Sequence, residues 1–248
     1  MAWGKFWLLF GFGLIVAAGP VEAGQTQVAV AANFTEPAKE IATLFKAKTG
    51  DEALLSFGAS GNFYTQISQG APFQVFLSAD ADRPKAAVDA GLAVADTRFT
   101  YAIGKLVLWS KSLDLTKGDD VLKANAFAKL SIANPKAAPY GAAAVEAMKG
   151  LGVYDAIEPK IVQGASIAQA FQFVDTGNAE LGFVALSQLS GVTTGSRWLP
   201  PQSLYSPIRQ DAVLLKTGAD DEASKAFIAF LRGPEARAII ERYGYALE

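Results

Sequence analysis

The chain has 248 residues, 51% of them hydrophobic, with 22 basic and 24 acidic side chains and a net charge of −2. No basic excess exists to release the counterions of a nucleic acid, which sets nucleic acid aside as a partner. Neither cysteine nor histidine occurs, so disulfides, thiol nucleophiles, Cys-ligated zinc, a lipid-bearing cysteine and the Ser-His-Asp triad are all excluded.

The first residues read as an export signal. Lys5 gives a positive start, Phe6 to Ala18 is an apolar and small-residue run, Gly19-Pro20 breaks it, and Val21-Glu22-Ala23 offers a small-residue cleavage site. The run of 13 residues falls short of the ~20 that span a bilayer as a helix. Residues 1–23 are therefore expected to be a signal peptide, with a mature chain that starts near Gly24 and is free in the periplasm.

Downstream, short apolar strands alternate with helical stretches. Strands are predicted at Thr26 to Ala32, Ala53 to Phe57, Phe73 to Leu77 and Lys105 to Ser110, with helices at Pro37 to Lys48, Asn62 to Gln69 and Pro84 to Ala90 between them. The second half repeats the pattern. Strands are predicted at Leu130 to Ala133, Lys160 to Val162, Leu181 to Ala185 and Ala212 to Lys216, and helices at Ala142 to Lys149 and Ile167 to Asp175. Two helices, Asp221 to Leu231 and Pro234 to Tyr243, close the chain. Glycines and prolines stand where helix ends need them. Such alternation predicts a three-layer α/β arrangement with largely parallel sheets, and the length favours two sheets over one. The apolar runs Lys105 to Trp109 and Ala212 to Leu215 are expected to cross between them.

Four places share one arrangement: a strand, a turn of small or hydrogen-bonding residues, then a helix start. They are Ala31-Ala32-Asn33-Phe34-Thr35, Phe57-Gly58-Ala59-Ser60-Gly61-Asn62, Ala138-Pro139-Tyr140-Gly141-Ala142 and Gln163-Gly164-Ala165-Ser166-Ile167, with Asn33 and Ser166 as expected caps. A helix start carries N–H groups without intrahelical partners and a partial positive charge, so it binds anions without Lys or Arg. Any one such turn is ordinary connection chemistry. Four on one chain that lacks the usual catalytic residues point to an anion-binding cleft rather than an enzyme. Gly58-Ala59-Ser60-Gly61-Asn62 begins like a nucleophile elbow but ends in Asn62, and no histidine can serve Ser60 as base. A Ser-Lys hydrolase is the enzymatic alternative. Asp80 and Asp82 suggest a metal less than a turn leading into a helix capped by Asp82.

At these motifs the sequence resembles the periplasmic molybdate-binding proteins of molybdate ABC transporters. The resemblance spans the mature chain and rests on Val30-Ala31-Ala32-Asn33-Phe34, Ser56-Phe57-Gly58-Ala59-Ser60, the run Gly70 to Asp80, Asn134-Pro135 with Pro139-Tyr140-Gly141, and Gly233-Pro234-Glu235-Ala236 with Tyr243-Gly244-Tyr245. It implies two α/β lobes joined by a two-strand hinge, the type II periplasmic binding architecture, with lobe 1 from residues 24–104 and 208–248 and lobe 2 from 105–207. It also implies a ligand site at Ala32, Asn33, Ser60, Tyr140 and the backbone N–H of Ile167, with no cofactor. The ligand would be molybdate or tungstate, the partner a membrane permease, and the protein a monomer. Some family members carry a binding tyrosine where Ala185 stands; here Tyr140 is expected to supply that hydroxyl. Molybdate is fully deprotonated at neutral pH, so a site made of donors suits it. Hydrogen phosphate needs an acceptor, for which the carbonyl of Asn33 is the candidate. A protein of the same architecture for sulfate or another small oxyanion is the second reading.

Overall fold

A computed structural model describes Met1 and residues 23–248, so the expected signal segment lies almost wholly outside the described residues. The first part of the chain runs β1 (Gln25–Ala31), α1 (Thr35–Thr49), β2 (Glu52–Gly58), α2 (Ser60–Ser68), β3 (Val75–Leu77), α3 (Asp82–Asp89) and β4 (Phe99–Gly104). Next come β5 (Leu106–Ser110), α4 (Asp120–Ala124), β6 (Leu130–Ala133), α5 (Pro139–Gly150), α6 (Tyr154–Ile157), β7 (Ile161–Gly164), α7 (Ile167–Asp175), β8 (Leu181–Ala185) and β9 (Ser196–Trp198). The return is β10 (Ile208–Leu214), α8 (Glu222–Arg232) and α9 (Pro234–Arg242).

Two five-stranded mixed sheets result, in the orders β2-β1-β3-β10-β4 and β7-β6-β8-β5-β9. In each, three neighbouring strands are parallel and the remaining two pair antiparallel. Parallel strands buried on both faces need near-continuous apolar sequence, and β1 supplies it with Val28, Ala29, Val30 and Ala31, all inaccessible to solvent. One face of the first sheet packs Phe34, Ile41, Phe45, Phe227 and Ile239, from α1, α8, α9 and the turn after β1. The other carries Phe63, Ile67 and Ala87 from α2 and α3. The second sheet is sandwiched the same way, with α5 and α6 on the larger side and α7 against Trp109 on the other. Burying one such large apolar side chain contributes about 1.5–3 kcal/mol.

The chain passes between sheets twice. It leaves the first at Gly104 and enters the second at Leu106; it returns to the first at Ile208, which pairs with Gly104. Lys105 to Trp109 thus begins at a crossing, as expected. Ala212 to Leu215 does not cross: Ala212 and Leu214 sit inside the first sheet against Leu77 and Val75. The return crossing is Tyr205 to Pro207, whose proline and polar residues carry no apolar signal. The strands β4 and β9 and the short helices α4 and α6 also went unpredicted, because β4 follows a turn without a clear break and the others have three to five residues.

Candidate functional site

Each of the four strand–turn–helix motifs ends its strand at the inner mouth of a lobe, and together they enclose one cavity. Ala31, Ala32, Asn33, Gly58, Ala59, Ser60 and Ala79 line it from the first lobe, and Ala138, Pro139, Tyr140 and Ile167 from the second. All five residues singled out from the sequence (Ala32, Asn33, Ser60, Tyr140 and Ile167) therefore meet at one place. No charged side chain is among the lining residues. The atom-free space is about 190 Å3, part of it open to solvent.

In the first lobe, Ser60 opens α2 and is almost fully buried. Its Oγ accepts the N–H of Ala79 at 2.9 Å, and a hydroxyl whose lone pair is taken this way has its hydrogen left to donate. No lysine bonds to it among the described residues, so the Ser-Lys hydrolase reading finds no base. After β1 the chain makes a 3-10 turn, Ala32–Phe34. Asn33 does not cap α1, contrary to expectation. Its Nδ2 donates inward, to Oε1 of Gln210 at 2.8 Å and to the Tyr245 hydroxyl at 2.9 Å. With both side-chain hydrogens engaged, the donors this turn has to offer are backbone N–H groups. Phe34 anchors the turn, edge-on to Tyr101 and Tyr245 at centroid distances of 4.8 and 5.4 Å, contacts worth about 0.5–1.5 kcal/mol each beyond burial.

In the second lobe, Ala138 and Pro139 start α5, where proline costs nothing because its N–H would be orphaned anyway. Tyr140 follows, fully buried. A Cβ on Gly141 would overlap the carbonyl oxygen of Ala133, so only glycine brings this helix start so close to the end of β6. The phenol of Tyr140 accepts from Nε2 of Gln210 at 3.3 Å. Burial, with the neighbouring Tyr245 and Tyr101 hydroxyls, pushes its pKa well above the ordinary value, so it keeps its proton at any physiological pH. Ile167 opens α7, and Ser166 caps it as expected, accepting the N–H of Gln169 at 3.4 Å. That leaves the first N–H groups of α7 unclaimed at the cavity wall.

The lobes touch around this cavity. Gly61 N–H donates to the Ala137 carbonyl at 2.9 Å, Arg83 Nη2 to the Lys136 carbonyl at 3.1 Å, and Ser187 Oγ to the Asn33 carbonyl at 2.8 Å. A Cβ on Gly61 would stand 3.0 Å from the Ala137 oxygen, which the neighbouring lobe could admit only by shifting. Asp82 does not cap α3. The helix N–H of Arg83 is accepted by Asp80 at 2.9 Å, and the Asp80 carboxylate pairs with the Arg83 guanidinium. Among the described residues no acidic cluster could hold a metal.

Four participants escaped the sequence reading: Gln210, Tyr245, Ser187 and the Ala79 N–H. Gln210 was legible in principle, as a polar residue inside the apolar run Ile208–Leu214. Ala185 is fully buried at the end of β8, its N–H given to Gln188 at 2.9 Å, and it does not line the cavity.

The comparisons with known proteins agree with this geometry. Residues 26–246 match the family model described as bacterial extracellular solute-binding protein. The molybdate-binding protein ModA of Rhodobacter capsulatus is 60% identical over 232 residues, 92% of this chain and 91% of that protein. Its counterpart from Azotobacter vinelandii is 54% identical over 242 residues, 96% of this chain and 95% of that protein. The solved structure of the Azotobacter vinelandii periplasmic molybdate-binding protein superposes with a TM-score of 0.86 at 40% identity, covering 90% of this chain and 99% of that one. These relatives are named as binding proteins, not enzymes. The chain belongs to the bacterial extracellular solute-binding proteins, and its two lobes are that family's architecture.

Proposed function

We propose that this protein captures molybdate, and tungstate with it, in the periplasm and delivers it to the membrane permease of an ABC transporter, acting as a monomer once residues 1–23 are removed. On this reading lobe 1 comprises residues 24–104 and 208–248, lobe 2 residues 105–207, and the anion is held by Ala32, Asn33, Ser60, Tyr140 and Ile167. The observation that carries it is the uncharged cavity walled by helix starts, with a serine whose hydroxyl oxygen already accepts the Ala79 N–H. A serine hydroxyl held this way keeps its hydrogen to donate. A fully deprotonated tetrahedral dianion can only accept, and charge-assisted bonds of this kind are about twice as strong as neutral ones. The names of the relatives at 60% and 54% identity support molybdate as the ion.

The donors sit on both lobes, so the closing of the lobes completes the site, as a hinged clamp. Hydrogen phosphate brings a proton with it. An unmet polar group in a closed site costs about 1–3 kcal/mol, which is roughly fivefold to hundredfold in selectivity. A thermal melt of the mature protein with equal excesses of molybdate, tungstate, sulfate and phosphate tests the assignment. A ligand at a hundred times its dissociation constant adds about 2.7 kcal/mol, a rise of roughly 5–10 °C for this size. A rise with molybdate and tungstate alone is expected. A rise with sulfate alone would move the protein to the second reading, that of a binder of smaller oxyanions.

A further inference from the structure

Ser187 stands in the turn after β8, in the second lobe, and is almost fully buried. It does not line the cavity. Its Oγ donates to the Asn33 carbonyl of the first lobe at 2.8 Å, a buried bond across the cleft. The Arg83 bond to the Lys136 carbonyl, which also joins the lobes, is exposed. A second hydroxyl completes the contact. That of Tyr245, from the C-terminal end of the first lobe, lies 2.9 Å from both the Asn33 carbonyl and Ser187 Oγ, and it accepts from Asn33 Nδ2. The fit is close here: Gly244 holds a φ of 85°, and a Cβ on it would stand 2.9 Å from the Leu186 side chain of the second lobe.

We propose that Ser187 is a positioning residue for the anion site, a latch that holds the lobes shut through the Asn33 carbonyl without touching the anion. The hydrogens present suit a bond that breaks and re-forms. Tyr245 has one hydroxyl hydrogen and two acceptors within reach of it. With the lobes closed, Ser187 gives its hydrogen to the Asn33 carbonyl. With the lobes apart, Ser187 turns to water, and Tyr245 still serves that carbonyl from within the first lobe. Opening therefore orphans no buried acceptor and escapes the penalty of an unmet polar group. The Ser187 bond belongs to the closed form alone, where burial makes it stronger than a surface bond. It acts after the lobes have met, so it slows release of the ligand and leaves capture alone. This inference rests on the proposed oxyanion site and its hinged closure.

The test is Ser187→Ala in the mature protein. Molybdate affinity is read by titration calorimetry, and release as the loss of radiolabelled molybdate during a chase with excess unlabelled molybdate. The melting temperature of the ligand-free protein is taken alongside. Removing one bond between a hydroxyl and a neutral carbonyl predicts affinity lower by about twofold to tenfold. Release should quicken by the same factor, with the association rate that follows from the two unchanged. The ligand-free melting temperature should stay within about 1 °C of wild type, because the open form lacks the bond. A larger fall in that temperature would make Ser187 merely structural and overturn the proposal. An unchanged affinity would overturn it too, as would a loss carried by association. Should Ser187→Ala fail to fold, Ser187→Cys keeps the size with only a weak donor and carries the same expectations. A wild-type protein that takes up no molybdate would overturn the site assignment along with this inference, whereas wild-type binding with unchanged release from Ser187→Ala would overturn this inference alone.

Discussion

Two hollows lie side by side between the lobes, and they differ in the one property usually expected to attract an anion. The larger, about 880 Å3 of atom-free space, is lined by Arg83 and Arg209. The smaller holds no charge at all. Yet the arginines of the larger are already committed, Arg83 to Asp80 and Arg209 to Glu248, and Asp82 and Glu146 face the same space. An anion there would meet three carboxylates, Asp80, Asp82 and Glu146, against two guanidinium groups, in an open crevice where water screens the attraction. In the smaller cavity, backbone N–H groups at the helix starts and the Ser60 hydroxyl face a lining with no carboxylate, which favours bonds to an anion. On the proposed reading, formal charge is a poor guide to the anion's place, and the supply of unpaired donors is the better one.

Substitutions can break that contrast, and the largest effect is expected where a charge is forced into the uncharged cavity. Ser60→Asp places a carboxylate against the bound dianion. An uncompensated buried charge costs about 3–5 kcal/mol, so calorimetry should show affinity falling by at least about a hundredfold. Ser60→Ala removes only a donor, and the Ala79 N–H loses its acceptor too. About 1–3 kcal/mol of binding should disappear, roughly fivefold to hundredfold in the dissociation constant. In the larger crevice, Arg83→Ala deletes a partly exposed contact to the Lys136 carbonyl between the lobes and should weaken binding by no more than about 1 kcal/mol. Arg209→Ala should leave affinity unchanged, since its exposed partner is Glu248. A loss at Arg209 larger than at Ser60 would reverse the assignment of the two hollows.

The effect of pH is expected to be as small. The chain has no histidine, and burial holds the phenols of Tyr140, Tyr101 and Tyr245 above their ordinary value. Nothing in the cavity changes charge near neutrality, so molybdate affinity should vary less than about twofold between pH 6 and 9. Stability tells a different story at higher pH. A tyrosine whose pKa is raised by folding contributes fully below its unfolded value of about 10, and the contribution is lost as pH rises past it. Chemical denaturation across pH 9 to 11 should show stability falling over that range.

Much of this site was legible in the sequence because helix starts are encoded locally. Ser166 before Ile167, Pro139 before Tyr140 and the small residues around Ser60 each specify a strand-to-helix turn within a few positions. Strands β6 and β8 and helix α7 were legible at their full lengths for the same reason: apolar periodicity and breakers coincide there. What was hidden depends on contacts far along the chain. Asn33 reads as a cap in isolation, but Gln210 and Tyr245, 177 and 212 residues away, take its side chain instead. The return crossing was misplaced because hydrophobicity marks burial, and Ala212 to Leu215 is buried in a sheet rather than passing between sheets. Asp82 lost the cap to Asp80 by a geometry of two residues that spacing alone does not resolve.

The measurement that bears most directly on the central claim is a crystal structure of the mature protein grown with molybdate, with the metal located by its anomalous scattering. One peak per chain is expected, inside the small cavity and between Ser60 and Tyr140, with oxygens facing the first turns of α2 and α7. A peak beside Arg83 or Arg209 in the larger crevice, with the small cavity empty of metal, would contradict it.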